Sequence, residues 1–291
     1  MGVNKKKVEI NSNFLNYIGV GLFKIVAINP NRQKLNEMYP NSTSTEEPVY
    51  FNKDKDGTDV FRVDIYCKLF ENPDIPNYIH KVTFFFRNTP LLNRDKTSVK
   101  VINNYGQTIY IPIDHYKANT LPENLSWFPT PYKPCYPGQE EFIAFLKAYF
   151  ATKELNKFVD GQPVRIEKPE DAEMFIENMQ AFLKGDLTEI KDIVEYDNPV
   201  KIVVGVRTTD DNKVYQDTFL QKFIKANTKD YTYVQKHIDE AKNAGKYPNT
   251  VFSIENIHVY SNDVEKSVNT STIPSYTDDN INELNTEDLP F

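Results

Sequence analysis

From Val60 to Phe70 the chain alternates without a break, and no other feature limits its fold so closely. Phe61, Val63, Ile65, Cys67 and Leu69 fall on one side, and Arg62, Asp64, Tyr66, Lys68 and Phe70 fall on the other. Such a period of two is the mark of a strand with one buried face. The segment His80 to Arg87 repeats it, with Val82, Phe84 and Phe86 opposite Lys81, Thr83, Phe85 and Arg87. Asp56-Gly57, just upstream, is a hairpin-turn dipeptide. The second side is unusual for a solvent face because it interleaves cations with aromatics. The whole chain shows the same surplus, with 19 Phe and 18 Tyr among 291 residues.

Further short strands are expected at Tyr17–Ile28, Val99–Ile102, Thr108–Ile113, Lys201–Thr208 and Val251–Tyr260, with turn signals at Asn29-Pro30-Asn31, Asn104-Tyr105-Gly106 and Asp210-Asp211-Asn212. Residues 31–59 read as a polar excursion. The proline- and aromatic-rich stretch Pro122–Gly138 excludes a regular helix or a central strand. Helical spacing then takes over: Phe142, Phe145, Leu146, Tyr149 and Phe150 share one face, and Ala172, Phe175, Met179, Phe182 and Leu183 share another, with Pro169 at the start and Gly185 as the stop. A short helix is expected over Leu187–Glu195, and a last one near Tyr231–Asn243, stopped by Gly245. The pattern predicts a mainly β small barrel or sandwich over residues 1–266, carrying a helical insertion at about 138–196.

Cys67 and Cys135 lie far apart, which predicts reduced core thiols and no disulfide framework. No apolar run is long enough to span a membrane, and the basic start Lys5-Lys6-Lys7 is followed by no apolar segment, so a cytoplasmic protein is expected. The net charge is −7, of which residues 267–291 contribute −5, leaving −2 for residues 1–266. The body is therefore close to neutral, and an overall charge cannot exclude a basic face on it.

Signatures of catalysis are weak. Gly19-Val20-Gly21 lacks the third glycine of a dinucleotide fingerprint, no phosphate-loop motif is present, and His80, His115, His237 and His258 have no metal-ligand spacing. Asn52-x-Asp54-x-Asp56-Gly57 begins like a calcium loop, but its twelfth position is Val63 where a bidentate Glu is needed, so it reads as a hairpin tip. No enzyme, cofactor, metal or small-molecule substrate is expected.

The chain ends on Ser/Thr/Asn-rich residues followed by Asp278, Asp279, Glu283, Glu287, Asp288, Leu289, Pro290 and Phe291. Such a composition predicts a flexible acidic tail over 267–291, presenting a terminal ring and five acids to a partner pocket with an apolar floor and a basic rim. The ending Glu-Asp-Leu-Pro-Phe resembles the tip of bacterial single-stranded DNA-binding proteins. The body is similar to the longer form found in crAss-like bacteriophages at Asn104-Tyr105-Gly106, Ala118-Asn119-Thr120-Leu121-Pro122, Ser126-Trp127-Phe128, Tyr136-Pro137-Gly138-Gln139-Glu140-Glu141 and Phe145-Leu146-Lys147-Ala148-Tyr149, all within a stretch of about a sixth of the chain. This resemblance implies an OB-fold core without catalysis, coating of single-stranded DNA in the host cytoplasm during replication and recombination, and recruitment of a polymerase, primase or helicase through the tail.

The strand faces point the same way on their own, since single-stranded DNA is held by cations along phosphates and aromatics stacked on bases. Arg62, Tyr66, Lys68, Lys81, Phe85, Arg87, Lys100, Tyr105 and Tyr110 form the candidate set. Trp127, with Phe128, Tyr132, Lys133 and Tyr136, offers a second platform, although a proline-rich loop pinned across the barrel is the role expected of these residues. The same strand residues also suit a bland arrangement in which the aromatics pack under the helical insertion and the cations are solvated. A structural or packaged phage protein with an acidic interaction tail is the alternative.

Overall fold

A computed structural model describes residues 17–40, 42, 44–70, 75, 77–103, 105–151, 156–159, 162–165, 186, 187, 190, 194, 197–210, 214–255, 257 and 258. In chain order the elements are β1 (Tyr17–Ile28), α1 (Arg32–Met38), β2 (Phe51–Lys53), β3 (Asp59–Leu69), β4 (Ile79–Arg87), β5 (Ser98–Asn103), β6 (Thr108–Pro112), α2 (Ile113–Lys117) and a 3-10 turn at Glu123–Leu125. Then follow β7 (Tyr132–Pro134), α3 (Gln139–Tyr149), β8 (Asn156–Val159), β9 (Gln162–Arg165), β10 (Pro199–Thr208), β11 (Val214–Thr218), β12 (Ile224–Lys225), α4 (Thr232–Asn243), β13 (Thr250–Phe252) and β14 (Ile257–His258). The described residues are mainly β, in antiparallel sheets.

The large sheet runs β4-β3-β1-β10-β11. β3 pairs along its length with β4, and its other edge is shared between β2 and β1. β1 likewise divides itself, giving Gly19–Lys24 to β10 and Phe23–Ile28 to β3, with the register shifting between Ile25 and Ala27. Such a bulge bends a strand and increases its twist, which helps a sheet curl. The far edges β4 and β11 are bridged by side chains: His80 Nε2 lies 2.7 Å from Thr218 Oγ1, and Tyr78 Oη donates to Gln216 Oε1. Among the described residues no backbone ladder joins these two strands, so the sheet is not a hydrogen-bonded closed barrel.

Alternation decides which side is inside. Phe23 and Ile25, Val63, Ile65 and Cys67, Val82, Phe84 and Phe86, and Val200, Ile202 and Val204 all join one core with α3. That helix inserts its expected face: the Phe142 ring meets Phe84 edge-on at 5.1 Å, and Phe145 meets Phe223 at 5.1 Å. Gly138 caps it with φ of 81°, and a Cβ there would lie 2.0 Å from the Phe85 carbonyl oxygen, so only glycine lets the helix start this close to β4. Cys67 and Cys135 are free and buried, as expected.

Helices also cover parts of the outer side. α4 places Val234, Ile238 and Ala241 over Val20, Val203 and Ile224. α1 places Leu35 over Ala27 and Tyr66, with Ile79 packed alongside. A second sheet, β6-β5-β7, closes over its own core of Val99, Val101, Ile111 and Phe128.

Several elements depart from the sequence expectation. The polar excursion holds α1, capped by the Asn31 side chain accepting from Lys34 N, and β2. Ile113 begins α2 instead of ending β6, β8 and β9 pair antiparallel within the expected helical insertion, and β11 and β12 follow β10. The expected closing strand is split, β13 pairing with β10 and β14 with β1. The helix expected from Pro169 to Leu183 and the tail 267–291 lie outside the described residues, as does most of Leu187–Glu195.

Candidate nucleic-acid interface

The ladder of β3 and β4 sets Arg62 opposite Phe85, Asp64 opposite Thr83 and Tyr66 opposite Lys81. Both strands therefore carry the interleaved side outward, as the alternation predicts. Its centre is an acid. Asp64, 1% exposed, accepts a hydrogen bond from Thr83 Oγ1 at 2.8 Å and faces Arg62 Nε at 3.3 Å and Lys81 Nζ at 3.8 Å. The Arg62 guanidinium also lies 5.4 Å from the Tyr50 ring centre. Arg87 is matched in the same manner, 2.7 Å from Asp54 and 3.0 Å from Asp56, so a guanidinium fills the turn that resembled a calcium loop.

Tyr66 departs from its expected place on an open stacking face. It is 7% exposed beneath α1, and burial, followed by the charge of Asp64, pushes its hydroxyl pKa up. The reason is the helix hidden in residues 31–59, whose Leu35 packs with Tyr66 and Ala27. Phe85 is half-buried, and Lys68 and Lys81 are exposed.

On the second sheet Lys100 stands opposite Tyr110 in the ladder, its Nζ 5.6 Å from the ring centre. Lys100 Nζ also bonds to Glu140 at the start of α3, and Glu140 accepts from Thr108 Oγ1 at 3.0 Å. Burial opposes the Lys100 charge, but the hydrogen bond and charge of Glu140 outweigh it and raise the ammonium pKa. Tyr105 is 70% exposed, Trp127 64% and Tyr110 43%. Phe128 anchors the proline-rich loop in the core of this sheet, and the Trp127 ring stands edge-on to it at 5.9 Å. Of the ten candidates, these three rings are the openly presented ones.

No family model, curated protein or solved structure matches this chain.

The structure contains cation–aromatic pairs absent from the candidate set. Lys24 Nζ lies 4.4 Å from the Phe70 ring centre, Lys201 Nζ 5.3 Å from Tyr231, Lys222 Nζ 5.4 Å from Tyr233, and the Arg207 guanidinium 5.6 Å from Tyr215. A usable signal was present for Lys24, a lone charge inside the apolar run Tyr17–Ile28. The partners of Lys201 and Lys222 come from the start of α4, about thirty and eleven residues away in sequence, and only folding brings them together.

Among the described residues, no group of three or more His, Cys, Asp or Glu side chains is placed to hold a metal, and no helix is long and apolar enough to cross a membrane. The tail candidates Asp278, Asp279, Glu283, Glu287, Asp288, Leu289, Pro290 and Phe291 lie outside the described residues.

Proposed function

We propose that this protein binds single-stranded DNA, without catalysis, on the outer side of an OB-like barrel. The observation that carries the reading is the pairing of cations with rings: six such pairs occur among the described residues, and in two of them, Lys201 with Tyr231 and Lys222 with Tyr233, the cation has no acid partner among those residues. Cations held over aromatic faces, beside the open rings of Tyr105, Tyr110 and Trp127, supply both terms of single-strand binding, phosphate attraction and base stacking.

The strand order supports the OB-like part of the proposal. In an OB-fold a five-stranded, partly open barrel uses its second and third strands to contact oligonucleotides. The order β4-β3-β1-β10-β11, with β1 shared between two neighbours and α3 inserted between β4 and β10, is compatible with that arrangement and makes β3 and β4 the second and third strands. The acidic C-terminal residues complete the reading as a segment that recruits replication proteins in the cytoplasm.

One observation favours the alternative of a structural phage protein. Arg62, Lys81 and Arg87 already have acid partners, and a face whose charges are internally matched attracts a polyanion less. Gel-shift titration of poly-dT and of a duplex of equal length, at several salt concentrations, separates the two. Single-strand preference with a steep salt dependence is expected; absence of poly-dT binding, or equal affinity for duplex, overturns the proposal.

A further inference from the structure

Between α1 and α4 the outer side of the large sheet carries a basic strip, with Lys68 exposed and Lys24 and Lys201 half-buried. Leu22 on β1 stands opposite Lys201 on β10, and Lys24 on β1 stands opposite Lys68 on β3. Directly opposed residues share a face, as do residues two apart on one strand. Lys24, Lys68 and Lys201 therefore project from the same side of three adjacent strands, a span of about 10 Å. Phe70 joins them, its N–H bonded to Leu22 O at 2.7 Å.

Two features set this strip apart. Like charges directly opposite in a ladder destabilise a sheet, yet Lys24 and Lys68 face each other across β1 and β3. The balancing groups are also mostly neutral. Lys24 lies on Phe70 and reaches one acid, the exposed Asp197 at 2.7 Å; Lys201 lies on Tyr231 and bonds to the Thr228 carbonyl; and Lys68 has no ion pair among the described residues. α1 separates the strip from the β3–β4 surface, because the helix sits on Ala27, Tyr66 and Ile79, leaving Lys68 on one flank and Lys81 on the other.

We propose that the phosphate backbone of bound single-stranded DNA crosses the protein along Lys201, Lys24 and Lys68, between α1 and α4, with Phe70 and Tyr231 beside it. This path rests on the single-stranded DNA reading and moves the main phosphate contacts from the β3–β4 surface to the β10–β1–β3 surface. The chemistry suits that occupant. A ring beneath an ammonium holds it in place without neutralising it, so the Lys201 charge stays available to a phosphate, as does that of Lys68, while at Lys24 a phosphate would replace the exposed Asp197.

The test uses the full chain, with poly-dT as the probe. Amine acetylation with and without poly-dT, read by mass spectrometry, should protect Lys24, Lys68 and Lys201 and leave Lys53 and Lys236 reactive, since both are well exposed on other elements. In parallel, Lys24→Gln, Lys68→Gln and Lys201→Gln combined should lower the salt slope of poly-dT binding by about 2, because each phosphate no longer neutralised takes roughly 0.7 from the slope on a single strand. The corresponding arginine variants should keep the slope. Protection confined to other lysines while poly-dT binds, or an unchanged slope in a triple variant that melts like the parent, overturns this path and leaves single-strand binding standing. Absence of poly-dT binding by the parent overturns both.

Discussion

On the β4 flank of α1, Arg62 and Lys81 face the buried Asp64 and Arg87 faces Asp54 and Asp56; on the β10 flank, Lys24 rests on Phe70 and meets one acid, the exposed Asp197, Lys201 rests on Tyr231 with no acid partner among the described residues, and Lys68 stands opposite Lys24. Both flanks belong to one sheet and carry similar numbers of cations, yet they differ in what balances the charge. An acid cancels the field that a distant phosphate would feel, whereas an aromatic ring leaves it largely in place. Counting cations on a strand face therefore overstates how basic it is, and the identity of each partner decides whether the face holds the fold or a ligand.

The largest expected effect comes from removing the acid at the centre of the matched flank. Asp64→Ala leaves Arg62 largely buried without its carboxylate and Thr83 without its acceptor, and should lower unfolding free energy by about 3 kcal/mol. Lys68→Gln on the other flank removes a like-charge opposition and should leave stability unchanged or slightly raised. Urea denaturation of the two variants checks this. Equal losses in both would erase the distinction between the flanks.

Two aromatic residues sharpen the same contrast. Tyr66 packs under α1, so Tyr66→Ala should cost about 3 kcal/mol of stability through the cavity it leaves. Trp127, presented to solvent, should cost little stability when replaced by Ala but weaken poly-dT binding by roughly 1–3 kcal/mol, the worth of a base stack. Melting curves and titrations on both variants suffice. A Trp127→Ala variant that binds like the parent removes the second sheet from the interface.

How much of this was legible without coordinates follows from which interactions are local. The faces of β3, β4 and β10 and the inward face of α3 were readable, because alternation and helical spacing are properties of a short segment. Tyr66 was misplaced because its cover, α1, lies in a segment whose polar composition hides one buried Leu35. Val203 illustrates the same limit: it sits on the outer side of β10 with Lys201, yet α4 buries it completely, which strand alternation alone cannot foresee. The seam between β4 and β11 was invisible because it joins His80 to Thr218 across 138 residues through polar side chains that carry no periodic signal.

That seam gives the next effect in size, a dependence of stability on pH. Burial, then the nearby Lys81 charge, pushes the His80 pKa down to about 3, so the imidazole is neutral in the fold. In the unfolded chain it returns to the ordinary value near 6.5. Between these values the unfolded state binds the extra proton, so stability is complete above about pH 6.5 and falls as pH drops, by up to about 1.4 kcal/mol per pH unit from this residue. Urea midpoints from about pH 7 to pH 4 should decline more steeply for the parent than for His80→Gln. Parallel curves would mean that His80 is not held neutral.

The smallest expected effect concerns the C-terminal acids and again separates the flanks. Residues 278–291 carry five acidic side chains and no lysine or arginine, a charge pattern that competes with a phosphate backbone for open cations. The competitor is covalently attached, so its effective concentration is high and independent of dilution. Removing Asp278–Phe291 should therefore tighten poly-dT binding a few-fold at low salt, and the gain should shrink as salt rises and the Debye length falls below about 10 Å. Acid-matched cations offer such a segment little, so the gain should persist when Lys81 is changed to Gln. It should disappear in the triple Lys24→Gln, Lys68→Gln, Lys201→Gln background, where the open cations are gone. Phe291→Ala removes no acid and should leave poly-dT affinity unchanged while weakening capture of a replication protein whose pocket holds the ring. A truncation that changes nothing at low salt would show that the acids do not reach the cations, and a gain that survives in the triple background would place their contact elsewhere on the protein.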